Sequence, residues 1–143
     1  MKERLNDDNV NYINALKKAH DIRRRKKSLH DRTVNNLETR LKNTLDIEGN
    51  PMYDKIEKEI EFIRPYKEYQ IAGEIDLYAT RMGCNGRKYL YLFEIKSWNN
   101  PKNKGKAHLQ LDREENIIGQ YNERVLKFFV TPKKIEWYRK NKT

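Results

Sequence analysis

Two carboxylates and a lysine have spacings that could place them together on one face of a β-hairpin. Asp76 lies in the segment EIDLYAT, and Glu94 and Lys96 lie in KYLYLFEIK, both rich in aromatic and β-branched residues. Residues two apart in a strand share a face, so Glu94 joins Lys96, and Glu74 joins Asp76. A turn centred on Asn85 would set Asp76 opposite Glu94. The side chains of Glu74, Asp76, Glu94 and Lys96 would then lie close together on one face of the hairpin.

Paired carboxylates of this kind need compensation for their mutual repulsion. A shared proton, a cationic side chain such as Lys96 and a divalent metal are the three common remedies. Hard oxygen ligands favour Mg²⁺ or Mn²⁺ over Zn²⁺. A water bound to such a metal is a nucleophile, and Lys96 could orient it or offset charge on a phosphate. The pattern therefore indicates metal-assisted phosphodiester hydrolysis.

The charge balance favours a polyanionic partner. Lysine and arginine number 31 against 21 aspartates and glutamates, a net charge of +10, and DNA is the expected polyanion. Two basic groups are predicted to contact phosphates, although a solvated surface is the alternative for the first. These residues are Arg23, Arg24, Arg25, Lys26 and Lys27, followed by Lys102, Lys104 and Lys106.

Apolar residues at helical spacing predict two helices in the first third of the chain. The first is expected to end near Ser28, where Ser28 and Asp31 have the spacing of a capping box. The second, which ends before Gly49, carries an apolar stripe formed by Val34, Leu37, Leu41 and Leu45. Residues 52–63 fit both helix and strand, and we predict a helix followed by a strand that reaches Arg64.

After the hairpin, the pattern predicts a loop, a helix, a strand and a closing helix. Asn99 to Gly105 form the loop, the helix ends near Asn122, and VLKFFVT is the strand. Pro132 then begins a short helix that faces inward through Ile135 and either Trp137 or Tyr138.

This order predicts an α/β fold with a central mixed sheet of about four strands flanked by helices. One domain spans residues 1–143, with 1–28 as a basic N-terminal helical extension.

No apolar run of membrane-spanning length and no secretory signal is present, so we expect a cytoplasmic protein with no membrane partner. A single cysteine and scattered histidines exclude a disulfide and a zinc site, and the chain lacks a phosphate-binding loop or a serine elbow. No small-molecule cofactor is expected.

The succession GEIDL, hairpin, EIK and a helix with Ala107, Gln110 and Leu111 resembles the PD-(D/E)XK nuclease superfamily. Archaeal Holliday-junction resolvases and RecB-like nucleases are similar in this respect. The resemblance implies a restriction-endonuclease-like core preceded by an extra helix. It also implies that Asp76, Glu94 and the carbonyl of Ile95 bind Mg²⁺ or Mn²⁺, and that Lys96 helps to activate water.

The same resemblance implies further site residues and partners. Glu38 is the candidate for an additional carboxylate on the preceding helix, with an ordinary surface glutamate as the alternative. Gln110 matches a catalytic glutamine, and Glu74 is either a secondary ligand or a salt-bridge partner of Lys96. DNA is the implied substrate and a homodimer the implied assembly.

Our hypothesis is a Mg²⁺-dependent DNA endonuclease, with branched DNA such as a Holliday junction as a candidate substrate. The first alternative is a non-catalytic nucleic-acid-binding protein with a nuclease-like fold, which the net charge alone would satisfy. The second is an interaction protein whose first basic helix binds an acidic partner.

Overall fold

The computed structural model describes residues 7–63, 71–83, 86–118 and 124–139. They form two helices and five strands, in the order α1 (Asp7–Lys42), β1 (Lys55–Ile63), β2 (Ile71–Met82), β3 (Lys88–Ile95), α2 (Pro101–Ile118), β4 (Arg124–Thr131) and β5 (Lys134–Tyr138). Within these ranges, no helix has the length and apolar character needed to cross a membrane.

The five strands form one sheet in the order β1-β2-β3-β4-β5. Neighbouring strands are antiparallel except β3 and β4, which are parallel and are connected through α2. A parallel pair requires a long crossover, which α2 supplies. The predicted α/β class with a mixed sheet is confirmed, but the sheet has five strands rather than four.

The additional strand is β5, and the closing helix predicted for this segment from the sequence is wrong. Pro132 and Lys133 form a turn, and the chain returns antiparallel to β4 with Val130 opposite Ile135. The segment KIEWY suits an edge strand, because apolar and charged residues alternate at its start and aromatic residues end it. Pro132 therefore serves a hairpin turn and does not begin a helix.

The two helices predicted before residue 49 are one continuous helix, α1, of 36 residues. No glycine or proline interrupts the chain near Ser28, and the hydroxyl of Thr33 donates a hydrogen bond to the carbonyl of Leu29 within the helix. A capping box at Ser28 is therefore absent. The helix predicted at the start of residues 52–63 is also wrong, since β1 occupies Lys55–Ile63.

Helix α2 begins earlier than predicted, at Pro101, inside the expected loop. The side-chain oxygen of Asn100 accepts a hydrogen bond from the backbone N–H of Asn103, which caps the helix, and proline suits the first helical position. The predicted ends at Arg64 and Asn122 lie outside the described residues.

The β2–β3 hairpin has the predicted register. Leu77 lies opposite Phe93 and Ala79 opposite Tyr91, as expected for a turn centred on Asn85. Asn85 itself lies outside the described residues. This register brings the start of β2 beside the end of β3, where the candidate residues stand.

The two helices pack against opposite faces of the sheet. On one face, Val34, Leu37 and Leu41 of α1 contact side chains of the three central strands, namely Leu77, Ala79, Phe93, Ile95 and Val130. Leu45, predicted as part of the same stripe, lies beyond the end of α1 and is exposed. On the other, Leu111 of α2 packs with Ile75, Leu90 and Leu92. Because α1 and α2 cover opposite faces, side chains near Asp76 in β2 and at the carboxyl end of β3 can contact either helix.

Candidate active site

Asp76 lies where the described pairing of β2 with β3 ends. The last described pair is Leu77 with Phe93, and one residue earlier the Oδ2 of Asp76 accepts a hydrogen bond of 2.9 Å from the backbone N–H of Ile95. A side-chain carboxylate thus takes the place of a backbone acceptor. This bond fixes the Asp76 carboxylate, which is buried, against the end of β3.

Two further carboxyl groups lie in the same region and are almost fully buried. Glu94 of β3 and Glu114 of α2 are each 2% exposed. The Oε2 of Glu94 and both carboxyl oxygens of Glu114 have no hydrogen-bond partner among the described residues. The Oε1 of Glu94 lies 3.6 Å from the Nζ of Lys96. Buried polar atoms are normally satisfied, so three unpartnered oxygens beside Asp76 point to a missing proton or cation.

The electrostatics of this carboxylate cluster, Asp76 with Glu94 and Glu114, disfavour its full ionisation. Burial raises the pKa of Glu94, and the charges of Asp76 and Glu114 raise it further, whereas Lys96 opposes the shift. Burial also raises the pKa of Glu114, and the Asp76 charge adds to it. A divalent cation would remove the cause of the repulsion.

These raised pKa values predict that stability falls as pH rises when no divalent cation is present. Between the ordinary glutamate pKa and the raised one, the folded chain binds more protons than the unfolded chain, so the free energy of unfolding decreases with pH. Urea unfolding in EDTA at pH 6 and pH 9 measures this. Glu94→Gln should flatten the dependence, and an equally steep dependence in this variant would contradict the assignment.

Helix α1 brings His30 to the cluster from the opposite face. Its Nε2 lies 3.4 Å from the Oδ2 of Asp76, and its Nδ1 lies 3.6 Å from Asp31. The hydrogen bond to Asp76 is the largest influence and raises the pKa of His30, although burial opposes it. His30 is therefore placed to orient the Asp76 carboxylate.

His30, Asp76, Glu94 and Lys96 line one cleft of about 460 Å³, open to solvent, which we call the acidic cleft; Glu114 is not among its lining residues. Its lining includes eight of the residues predicted from the sequence: Lys26, Lys27, Glu74, Asp76, Glu94, Ile95, Lys96 and Gln110. Gln110 donates a hydrogen bond to the carbonyl of Glu74, which ties α2 to the start of β2. The remaining lining residues are His30, Ser97, Trp98 and Asn103.

Glu38 lies elsewhere. Its carboxylate is 3.8 Å from Lys42 and 3.6 Å from Lys58, and it does not line the acidic cleft. The structure therefore does not bring Glu38 to the cluster, and Glu114 is the additional glutamate there.

The other predicted DNA-binding residues stand outside the acidic cleft. Arg23, Arg24 and Arg25 are exposed on α1, and Arg24 lies 3.8 Å from Asp21. Lys102, Lys104 and Lys106 belong to the first turns of α2 rather than to a loop. Among these, Lys104 lies 3.1 Å from Glu136 of β5.

His30 and Glu114 were missed by the sequence analysis, yet each had a signal. Glu114 follows Ala107 by seven positions and Leu111 by three, so a helix places this acid on a buried apolar stripe. His30 precedes Val34 by four positions and continues the α1 stripe once the helix is recognised as unbroken. A polar residue within an apolar stripe was the signal in both.

No family model, curated protein or solved structure matches the chain. The function is therefore inferred from the residues of the acidic cleft and their chemistry.

The donor set of the acidic cleft fits a hard divalent cation. Among the described residues, no group of three or more His, Cys, Asp or Glu side chains is placed so that it could hold a metal ion together. Mg²⁺ is commonly held by one or two carboxylates and keeps several waters, so it does not require such a group. The carboxylates of Asp76 and Glu94, which line the acidic cleft, are ligands of the type it prefers.

Proposed function

We propose that the chain is a metal-dependent DNA endonuclease with a restriction-endonuclease-like core of the PD-(D/E)XK type. The observation that carries this proposal is the pair of buried carboxylates, Asp76 and Glu94, at a solvent-open cleft that also contains Lys96. One oxygen of Glu94 has no hydrogen-bond partner among the described residues, and the charge of the buried Glu114 adds to the repulsion at Glu94. Burying three acids is costly, and a structural role alone gives no reason for it.

Asp76 and Glu94, with the carbonyl of Ile95, would hold Mg²⁺ or Mn²⁺, and the charge of the buried Glu114 would act on Glu94 without contacting the cation. When bound, the cation would supply Lewis-acid activation of water and of the scissile phosphate. The Ile95 N–H bond to Asp76 fixes that carboxylate before any ligand arrives, which reduces the cost of reorganisation.

Lys96 supplies the mobile cationic group of the site. Its side chain is 26% exposed, and its Nζ is near enough to Glu94 to be oriented but reaches the open cleft. There it would hold the attacking water and neutralise charge developing on the phosphate oxygens. Lys26 and Lys27 line the same cleft from α1 and would contact neighbouring phosphates.

DNA is the proposed substrate because the net charge of +10 attracts a polyanion to a cleft whose acids would otherwise repel it. Branched DNA is the proposed preferred architecture and a homodimer the proposed assembly. Purified protein with Mg²⁺ should cut at least one member of a panel of junction, flap, duplex and single-stranded DNA. Symmetric paired cuts in a junction would support the dimer.

His30→Ala is expected to lower cleavage about tenfold and to weaken Mn²⁺ binding, because loss of a partner that orients a metal ligand typically costs 10- to 100-fold. Cleavage rate and calorimetric Mn²⁺ affinity measure the effect. His20→Ala, on the exposed part of the same helix, is the control and should behave like the wild type. Equal activity and affinity in both variants would show that His30 does not orient Asp76.

One observation favours the alternative of a non-catalytic nucleic-acid-binding protein. The raised pKa values mean that protons alone could neutralise the cluster. DNA binding that is indifferent to Mg²⁺, without cleavage of any member of the panel, would favour this alternative.

A further inference from the structure

A second cleft lies between α1 and the β4–β5 turn, on the other side of α1 from His30. Its volume is about 370 Å³, and its walls carry four cationic side chains and no carboxylate, with Arg32 and Arg40 on α1 facing Lys133 and Lys134. Among the described residues, Arg32, Arg40 and Lys133 have no ion pair, while Lys134 lies 2.9 Å from Glu136. Three of the four cations in this cationic cleft thus have no ion-pair partner among the described residues.

The buried residues that line the cationic cleft are two apolar side chains, Leu37 and Val130, and two threonines, Thr33 and Thr131. Ile135 is 40% exposed at its rim. The side chain of Asn36 adds an amide between the two arginines. Cations beside apolar and hydroxyl side chains suit a ligand that alternates phosphates with less polar sugar groups, which describes a nucleic-acid backbone.

The cationic side of α1 continues beyond the cleft. Lys18, Arg25 and Arg32 succeed one another at seven-residue intervals, which places them on nearly the same side of the helix, and all three are exposed. From Lys18 to Arg40 the helix rises about 33 Å. One turn of duplex DNA has a length of about 34 Å.

This surface faces away from the acidic cleft. Arg32 follows His30 by two positions, so helical geometry directs the two side chains about 160° apart around α1. No residue lines both clefts. A backbone bound along the cationic row is therefore not the strand placed over the carboxylate cluster.

We infer that the cationic cleft, with Arg25 and Lys18 along α1, binds a second stretch of DNA backbone separate from the one at the acidic cleft. The choice of DNA rests on the proposed function, but binding here requires neither the carboxylate cluster nor a metal. The contacts are to phosphates and would not depend on base sequence.

The test is the salt dependence of binding to a 30-base-pair duplex, measured by fluorescence anisotropy in EDTA so that no cleavage occurs. The triple variant Arg32→Gln, Arg40→Gln, Lys133→Gln is compared with Lys42→Gln, Lys55→Gln, Lys88→Gln. Both variants lose three positive charges from exposed positions, and in the control Lys42 and Lys55 already face carboxylates. Circular dichroism and thermal unfolding confirm that both variants are folded.

The variant with Arg32, Arg40 and Lys133 replaced is expected to bind the duplex at least tenfold more weakly than the control at 0.15 M salt. The slope of log K against log salt concentration should fall in magnitude by about two to three, because each lost phosphate contact removes about 0.9 from that slope. Equal slopes and affinities for the two variants would overturn the inference, since net charge alone would then explain binding. A wild type that binds the duplex in this assay but cuts no member of the DNA panel with Mg²⁺ would refute the nuclease proposal and leave this result unaffected.

Discussion

Glu94→Gln is expected to lower the rate of Mg²⁺-dependent DNA cleavage about a thousandfold. Metal activation supplies several kcal/mol of transition-state stabilisation, and about 4 kcal/mol corresponds to three orders of magnitude in rate. Glutamine keeps the shape of the buried side chain but cannot supply an anionic ligand. Because burial already favours the protonated acid, the variant should fold at least as well as the wild type without metal.

Single-turnover cleavage at saturating protein, over a range of Mg²⁺ concentrations, measures this loss. Asp76→Asn should cause a similar loss of cleavage rate. Glu38→Gln is the matched control. Like Glu94, Glu38 lies beside lysine side chains, but it belongs to α1 and lies away from the acidic cleft. If Glu94→Gln cuts as fast as Glu38→Gln, the cluster is not catalytic.

Lys96→Met is expected to slow cleavage about a hundredfold while leaving the affinity for DNA nearly unchanged. A positioned proton-transfer group typically contributes a factor of 10² to 10⁴, and we take the lower figure because Glu94 and a metal would remain. Methionine preserves the aliphatic stem and removes the ammonium group that lies 3.6 Å from Glu94. The rate is measured with Mg²⁺ and the affinity with Ca²⁺ in its place.

Lys104→Met is the control for Lys96→Met. It removes the same charge from α2, where the ammonium group faces Glu136 rather than the acidic cleft. It should retain the wild-type rate within about twofold. A hundredfold loss in DNA affinity for Lys96→Met, with an unchanged rate once bound, would assign Lys96 to substrate binding and would contradict its proposed role at the water.

The hairpin was the part of the fold that sequence reasoning predicted best. Strand alternation and a short glycine-containing turn fix the register, and the register brings Asp76 beside Glu94. Those same local rules placed Lys96 at the cleft, whereas Gln110 of α2 was predicted from the family resemblance. Short-range geometry largely determines which side chains of a hairpin become neighbours. A single sequence is enough to predict that geometry.

Elements that depend on tertiary contacts were predicted less well. The break expected at Ser28 relied on a capping pattern, whereas packing of one continuous stripe on the sheet favours an unbroken helix. Likewise β5 is stabilised by pairing with β4, which a short aromatic segment does not reveal by itself. His30 and Glu114 come from helices on opposite faces, and only the packing of both helices shows that they meet at Asp76.

The most direct test of the central claim is anomalous X-ray diffraction from crystals of the wild-type protein soaked in Mn²⁺ at a pH above 8. We predict a single strong peak in the acidic cleft within about 2.0 to 2.6 Å of carboxylate oxygens of Asp76 and Glu94, which disappears in Glu94→Gln. A cleft without anomalous signal at saturating Mn²⁺, with Glu94 and Glu114 still joined only to protons or water, would contradict a metal-dependent nuclease.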